Sequence, residues 1–476
     1  MRKQIVSVML LASMLAVSGC ANETDTKKTT EEQQVTTEAV TEDALTEAAE
    51  TEAVTELETE EETTEVPETE AVTEEITEEE TEAAVEFSLT SNEEIDAARA
   101  QIWEDYLAEI TSDETRQAEV DGRSMDFGEV TMKYAMQIKG NPDEEGYPLY
   151  IALHGGGGSD TPDLNDQQWA AMTTYYAKSV KNAIYINPRG VRDTWDTHAN
   201  PESYPLYDRL IENMIAFYGV DPDRVYLLGY SAGGDGVYMI TPKMADRFAA
   251  ANMSAGHPNG INLTNLYNMP IQLQAGIGDS AYDRNKVTAE YDAVLDNLAE
   301  TYGGGFEHNT FIHSKYGHNF YDNNALDQEV LVNPAAWLES GDKETEMADT
   351  NAIHFLSEHT RTALPERVIW EFTNRANLRE TESFYWLSAS FDVNEGQIIA
   401  SYDTESNSIT IEENTANGPV TVLLNEDMLD LFSPITVNTP EESYEVTVTP
   451  DYELLESTTY DRGDENYQFA AKIVIE

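Results

Sequence analysis

Cysteine is all but missing from this chain: Cys20 is the single one among 476 residues. No internal disulfide can staple the fold, so it must rest on an apolar core. Basic residues are scarce too, with 27 Lys and Arg against 91 Asp and Glu and a formal net charge of −64. So negative a surface repels phosphate backbones and anionic lipid, which excludes a nucleic-acid partner. Long apolar runs are confined to Ile5 to Val17, and nothing else is long enough to cross a membrane. No cluster of side chains has metal-ligand spacing. The glycine run Gly155 to Gly158 lacks the lysine that a phosphate loop requires. Neither a metal nor another cofactor is expected.

The one apolar run sits behind Arg2 and Lys3 and ends in Val17-Ser18-Gly19-Cys20. It is too short to span a bilayer and resembles a bacterial lipoprotein signal with its lipobox, which implies a lipid on Cys20 and export to the outer face of a cell membrane. Residues 21–86 are Thr, Glu, Ala and Val, with Thr-Glu-Ala-Val-Thr-Glu recurring at Thr37, Thr51 and Thr69. This segment holds 25 acidic residues and two lysines, and the expectation is a disordered, extended tether. The length predicts two further domains, at 87–363 and 364–476.

From Ser91, whose spacing to Glu94 reads as a capping box, a helix carries Ile95, Ala98, Ile102 and Tyr106 on one face. Tyr150-Ile151-Ala152-Leu153 is continuous and apolar, as in a strand covered on both faces. Strands at 183–186, 225–228, 249–253, 270–275 and 310–312 then alternate with helices at 168–180, 208–217 and 287–302. That alternation predicts an α/β fold, a mainly parallel sheet with helices on both faces and ligands bound beyond the carboxyl ends of the strands. A helix at 351–362 closes it. Short strands at turn-rich spacing from Val368 onward predict an all-β, sandwich-like C-terminal domain that caps or orients the substrate or shields the sheet edge.

One stretch organises the rest. Val225 to Leu228 runs as a strand into Gly229-Tyr230-Ser231-Ala232-Gly233, and Gly234 onward opens a helix. Glycines two before and two after Ser231 clear the space for a sharp bend that exposes its hydroxyl. A serine needs a base, and the base an orienting carboxylate. His318 follows the strand at 310–312, and Asp279 follows the strand ending at Ala275. The order Ser231, Asp279, His318 is the one that goes with a serine on a strand-to-helix elbow. Asp283 and Asp322 compete for the acid; His313 reads as packing, His154 as a structural loop residue, and His198 and His257 as loop residues without a role. Negative charge on a carbonyl oxygen calls for two amides, from Ala232 and from the His154-Gly155-Gly156-Gly157 loop, with Gly156 chosen. Arg189 and Trp195 are candidate cleft residues.

These motifs, LHGGGG, INPRG, GYSAGG, GIGDSAYDRN and YGHNF, resemble those of the α/β-hydrolase superfamily, within it exported esterases of the poly-hydroxyalkanoate depolymerase, feruloyl esterase and acetyl xylan esterase type. The resemblance covers roughly 126–362. It implies a serine esterase acting through an acyl-enzyme on an ester substrate, such as acyl groups on polysaccharide, with the membrane reached through the lipid on Cys20. The alternatives are a serine peptidase of the same fold and a non-catalytic carbohydrate-binding surface lipoprotein.

Overall fold

Alternate residues of the central strands enter two different cores, which is why these runs are apolar throughout. Leu149, Ile151 and Leu153 belong to one buried cluster, and Tyr150 and Ala152 to another. The computed structural model describes residues 89–158, 162–319, 327–375 and 381–475. The signal and tether expected before residue 87, with Cys20, lie outside the described residues, as does Asp322.

The chain begins with α1 (Asn92–Ser112), α2 (Glu114–Gly122), β1 (Ser124–Phe127) and β2 (Val130–Lys139). Then come β3 (Tyr147–Leu153), α3 (Pro162–Tyr175), β4 (Ala183–Pro188), α4 (Ser203–Tyr218), β5 (Val220–Tyr230) and α5 (Ala232–Ile240). They are followed by β6 (Ala250–Ser254), β7 (Ile271–Gly276), α6 (Arg284–Tyr302), β8 (His308–His313), β9 (Gln328–Leu331), α7 (Pro334–Ser340), β10 (Thr345–Ala348) and α8 (Ala352–Ser357). The strands form one sheet in the order β1-β2-β4-β3-β5-β6-β7-β8-β9-β10. β4, β3, β5, β6, β7 and β8 are parallel to their neighbours within that run, and antiparallel pairs flank them. The chain moves from β3 to β4 on one side and then returns past β3 to β5. Loops leaving β3 and β5 therefore diverge at their carboxyl ends, the place where such sheets open a crevice.

Several boundaries differ from expectation. The α1 face of Ile95, Ala98, Ile102 and Tyr106 is buried as read. Ser91 Oγ accepts the Glu94 N–H at 3.3 Å, but the Glu94 carboxylate turns to the backbone and hydroxyl of Thr90, so the box is not reciprocal. The strand β8 was expected to end the sheet, yet β9 and β10 extend it. Both are short and carry charged residues, so pairing, of β9 to β8 and of β10 to β9, decides them more than their own pattern does.

Beyond α8 come β11 (Arg367–Glu371), β12 (Thr381–Phe384), β13 (Leu387–Ser390), β14 (Gln397–Asp403), β15 (Ser408–Asn414), β16 (Val420–Leu424), β17 (Ile435–Asn438), β18 (Ser443–Val446), α9 (Tyr452–Arg462) and β19 (Ala471–Ile475). They make a five-stranded sheet, β11-β14-β15-β17-β18, and a four-stranded one, β12-β13-β16-β19. Trp370 of the first stacks on Phe384 of the second, with ring centroids 5.7 Å apart. The region is not purely β, because α9 lies within it. The apolar run Phe384 to Leu387 is a hairpin and not one strand. Phe384 pairs with Leu387 across a turn in which Tyr385 takes φ 53°, and Trp386 is buried with its Nε1 donating to the Pro365 carbonyl at 2.7 Å. The described residues all fall within one compact unit. A single hydrophobic cluster runs from Ile95 and Leu227 to Val368, Trp386 and Ile473, so the change of texture near residue 364 falls inside a shared core.

Candidate active site

Register brings the site loops together before any side chain does. Leu153 pairs with Gly229, so the glycine loop leaves β3 beside the end of β5. Gly276 pairs with His313, so the segments after β7 and β8 depart side by side.

At the end of β5 the backbone turns within one residue. Ser231 takes φ 58° and ψ −119°, a region that costs a non-glycine residue of order 1–3 kcal/mol and persists only when its surroundings enforce it. The enforcement is visible in the glycines. A Cβ on Gly229 would lie 2.2 Å from the Gly233 carbonyl oxygen, and one on Gly233 would lie 2.1 Å from that of Leu153. The Ser231 N–H is tied to the Ser254 carbonyl at 2.9 Å.

The second close approach joins the other two loops. A Cβ on Gly276 would lie 2.0 Å from the Gly317 carbonyl oxygen, and the Gly278 N–H donates to the Tyr316 carbonyl at 2.9 Å. Asp279 and His318 emerge from that contact facing each other. His318 Nδ1 is 2.8 Å from Asp279 Oδ2, and His318 Nε2 is 3.0 Å from Ser231 Oγ. The Asp279 side chain is buried, whereas that of His318 is 37% exposed, leaving its working edge open to solvent. A hydroxyl, an imidazole and a buried carboxylate in line can pass a proton from oxygen to nitrogen while the resulting positive charge is held. Tyr230 supports the imidazole from the side. Its hydroxyl donates toward the His318 carbonyl at 3.0 Å and the Asn319 Oδ1 at 2.6 Å, and its ring lies 5.3 Å from the imidazole.

A serine elbow after β5, a carboxylate after β7, an imidazole after β8 and a glycine loop after β3 stand at one edge of a mainly parallel sheet. The fold is the α/β-hydrolase fold.

Ala232 is the first residue of α5, where an amide has no partner within the helix, and Ser231 supplies no side-chain cap. The glycine loop lies against it: a Cβ on Gly155 would stand 3.3 Å from Ser231 Cβ, and one on Gly157 3.5 Å from Ala232 Cβ. Gly156 takes φ 110°, and the Gly157 N–H is already given to Asn165 Oδ1 at 2.7 Å.

The remaining candidates divide. Trp195 is 55% exposed, and its carbonyl lies beside Gly157 at the rim. Arg189 is engaged by its neighbours. Its guanidinium is spent on Asp166 at 2.9 Å, Asp193 at 2.5 Å and the Gly190 carbonyl at 2.9 Å. Asp283 is exposed and pairs with Lys286. His313 is buried against Gln274, and burial pushes its imidazole down to about 4. His154 accepts the Gly190 N–H at 3.0 Å, and burial lowers it to about 4, a neutral brace for the loop that it begins. His198 has more to do than its loop position suggested. Fully buried, it bonds the His154 carbonyl at 2.9 Å, and burial holds it well below its ordinary value. His257 contacts Asn259. Sequence reasoning passed over Asn165, Asp193 and Tyr230. Only Tyr230 carried a signal, as the residue before the elbow serine.

No family model matches the chain. Over 114 residues, 24% of its length, it is 27% identical to a bifunctional acetylxylan esterase/xylanase of Neocallimastix patriciarum, and it spans 16% of that protein. Among solved structures it is similar to a thermostable esterase, at 20% identity over 50% of this chain and 62% of that one, with a TM-score of 0.33. It is also similar to a poly(3-hydroxybutyrate) depolymerase from Bordetella parapertussis, at 15% identity, 48% and 88% coverage and TM-score 0.33. An acetyl xylan esterase from Aspergillus awamori gives 16% identity, 42% and 94% coverage and TM-score 0.29.

Proposed function

We propose that this protein is a serine esterase that hydrolyses carboxylic esters through an acyl-enzyme. The observation that carries the reading is the continuous line Ser231 Oγ, His318 Nε2 and Nδ1, Asp279 Oδ2, at 3.0 and 2.8 Å, on a strained elbow. In the first half-reaction Ser231 Oγ attacks the ester carbonyl carbon as His318 Nε2 takes its proton. Asp279 holds the imidazole by the Nδ1 proton and balances the imidazolium. The carbonyl oxygen becomes an oxyanion received by the Ala232 and Gly156 amides, each contributing about 3–4 kcal/mol to the transition state. Collapse breaks the ester C–O bond, and His318 returns the proton to the leaving alcohol. Water then repeats the sequence on the acyl-serine and releases the acid.

The substrate proposed is an acyl group on an extracellular polysaccharide, with Trp195 at the rim as the stacking surface for a ring. Support comes from the open edge of His318 and from the partial likeness to a protein named as an acetylxylan esterase/xylanase. Export and anchoring through a lipid on Cys20 belong to the same proposal and rest on the sequence of residues 2–20.

A fluorophosphonate probe tests the nucleophile: the wild type labels and Ser231→Ala does not, and equal labelling of both overturns the reading. Hydrolysis of p-nitrophenyl acetate without cleavage of peptide amides separates esterase from peptidase. A panel of acetylated and feruloylated polysaccharides then names the acyl group. Radiolabelled palmitate carried by the wild type and lost in Cys20→Ala tests the anchor.

A further inference from the structure

Asn165 stands outside the Ser231, His318 and Asp279 line, yet its carboxamide is fully buried against the glycine loop. Its Oδ1 accepts the Gly157 N–H at 2.7 Å, and its Nδ2 donates to Asp193 Oδ1 at 2.7 Å. An N–H on one side and a carboxylate on the other permit one orientation of the amide. Asp193 is gripped in turn by Arg189 Nη2 at 2.5 Å, and Arg189 Nε reaches Asp166 at 2.9 Å. The relay acts at the tightest point of the loop. A Cβ on Gly156 would lie 2.2 Å from Asn165 Oδ1, so the backbone there passes directly over the carboxamide. Successive glycines with φ of 110°, 88° and 77° at positions 156 to 158 have no side chains to hold them. Left alone, such a segment explores many conformations, and an amide that wanders stabilises no developing charge. Fixing the Gly157 N–H fixes the peptide plane that follows Gly156.

We propose that Asn165 is a positioning residue for the oxyanion hole: held by Asp193 and Arg189, its carboxamide locks the Gly156–Gly157 peptide and so restrains Gly156 from its carboxyl side, narrowing the directions open to the Gly156 amide of the preceding peptide to the one that meets the oxyanion. Arg189, which the sequence suggested for substrate, is the far anchor of this relay. The inference rests on the serine-esterase reading of Ser231.

The test uses the full-length protein, with fluorophosphonate titration counting the active serines so that rates are per site. Asn165→Ala is expected to lower kcat on p-nitrophenyl acetate about 10- to 100-fold, less than the outright loss of a donor, with KM within about twofold. Inhibition by a trifluoromethyl ketone, which forms a tetrahedral oxyanion on Ser231, weakens by the same factor as kcat/KM. Asp193→Asn moves the same two quantities in the same direction by less. A role in folding alone would reduce the number of titratable sites and leave the rate per site intact, and that result overturns the proposal. Where Asn165→Ala yields no folded protein, Asp193→Asn decides: lower kcat and weaker ketone binding support the relay, and unchanged values overturn it. A wild type with no titratable serine overturns the Ser231 reading and this one with it. Normal wild-type titration beside an unchanged rate in Asn165→Ala overturns this one alone.

Discussion

The two ends of β5 are held by different means. At the amino end stand charges. Arg361 is ion-paired with Asp223 at 2.6 Å and with Asp464 at 2.7 Å, Arg247 bonds Asp208 at 2.8 Å, and Arg462 pairs with Asp246. Asp464 is wholly buried. Burial pushes its carboxyl up, and the Arg361 and Arg247 guanidiniums more than reverse this, so it stays below the usual carboxylate range. These pairs tie α9 and the segment after it to the sheet. At the carboxyl end, roughly 26 Å away at 3.3 Å per residue, the loops meet through close glycine contacts and a serine in a strained conformation, with Asp279 turned to His318 and the Asp193–Arg189 pair behind the glycine loop. Charge fastens the end that need only stay shut. Backbone packing and strain shape the end where Ser231 and the proposed oxyanion donors stand. The C-terminal sheets, expected to cap the substrate or shield an edge, have their ionic ties at the first of these ends.

The contrast makes four predictions. Ser231→Ala should lower kcat by roughly four to six orders of magnitude. Its calorimetric midpoint should stay within about 2 °C of wild type, because no packing is lost. Asp464→Asn does the reverse. It leaves two buried guanidiniums without their shared partner and should cost about 3–5 kcal/mol in urea unfolding, with the rate per titrated serine unchanged. Equal damage to rate and stability by either variant would break the division between the ends. Tyr230→Phe removes one hydroxyl from the His318 loop and should lower kcat about two- to tenfold, the worth of a single hydrogen bond, with little change in unfolding. The smallest effect belongs to Asp143. Hydrogen bonds from Arg224 hold its exposed carboxyl down at about 2, so its contribution to stability is present above its ordinary value and is lost as pH falls toward 2. Asp143→Asn should flatten the fall in unfolding midpoint over that window and leave the pH–rate profile as it was.

Much of this molecule was legible in its residues because local rules and global fold agree there. Tyr150 to Leu153 is apolar on both faces because both faces are covered, and the glycines around Ser231 are required by contacts of 2.1 and 2.2 Å that any other residue would violate. The order of Ser231, Asp279 and His318 was readable because each follows its own strand directly. The failures have a common cause. β9 is a strand because β8 offers an edge and β10 because β9 does, Tyr385 and Trp386 turn because a core waits for both rings, and Arg189 is drawn to Asp166 and Asp193.

Sequence alone determined the alternation of strand and helix, the elbow and the side chains that follow each strand, since period and glycine placement act over a few residues. Tertiary structure decided which of those side chains meet, which are consumed in bracing and how the C-terminal sheets share the core. Many of those outcomes depend on distant partners, 28 residues apart for Asn165 and Asp193 and 243 for Asp223 and Asn466, and no local pattern encodes what lies across such a gap.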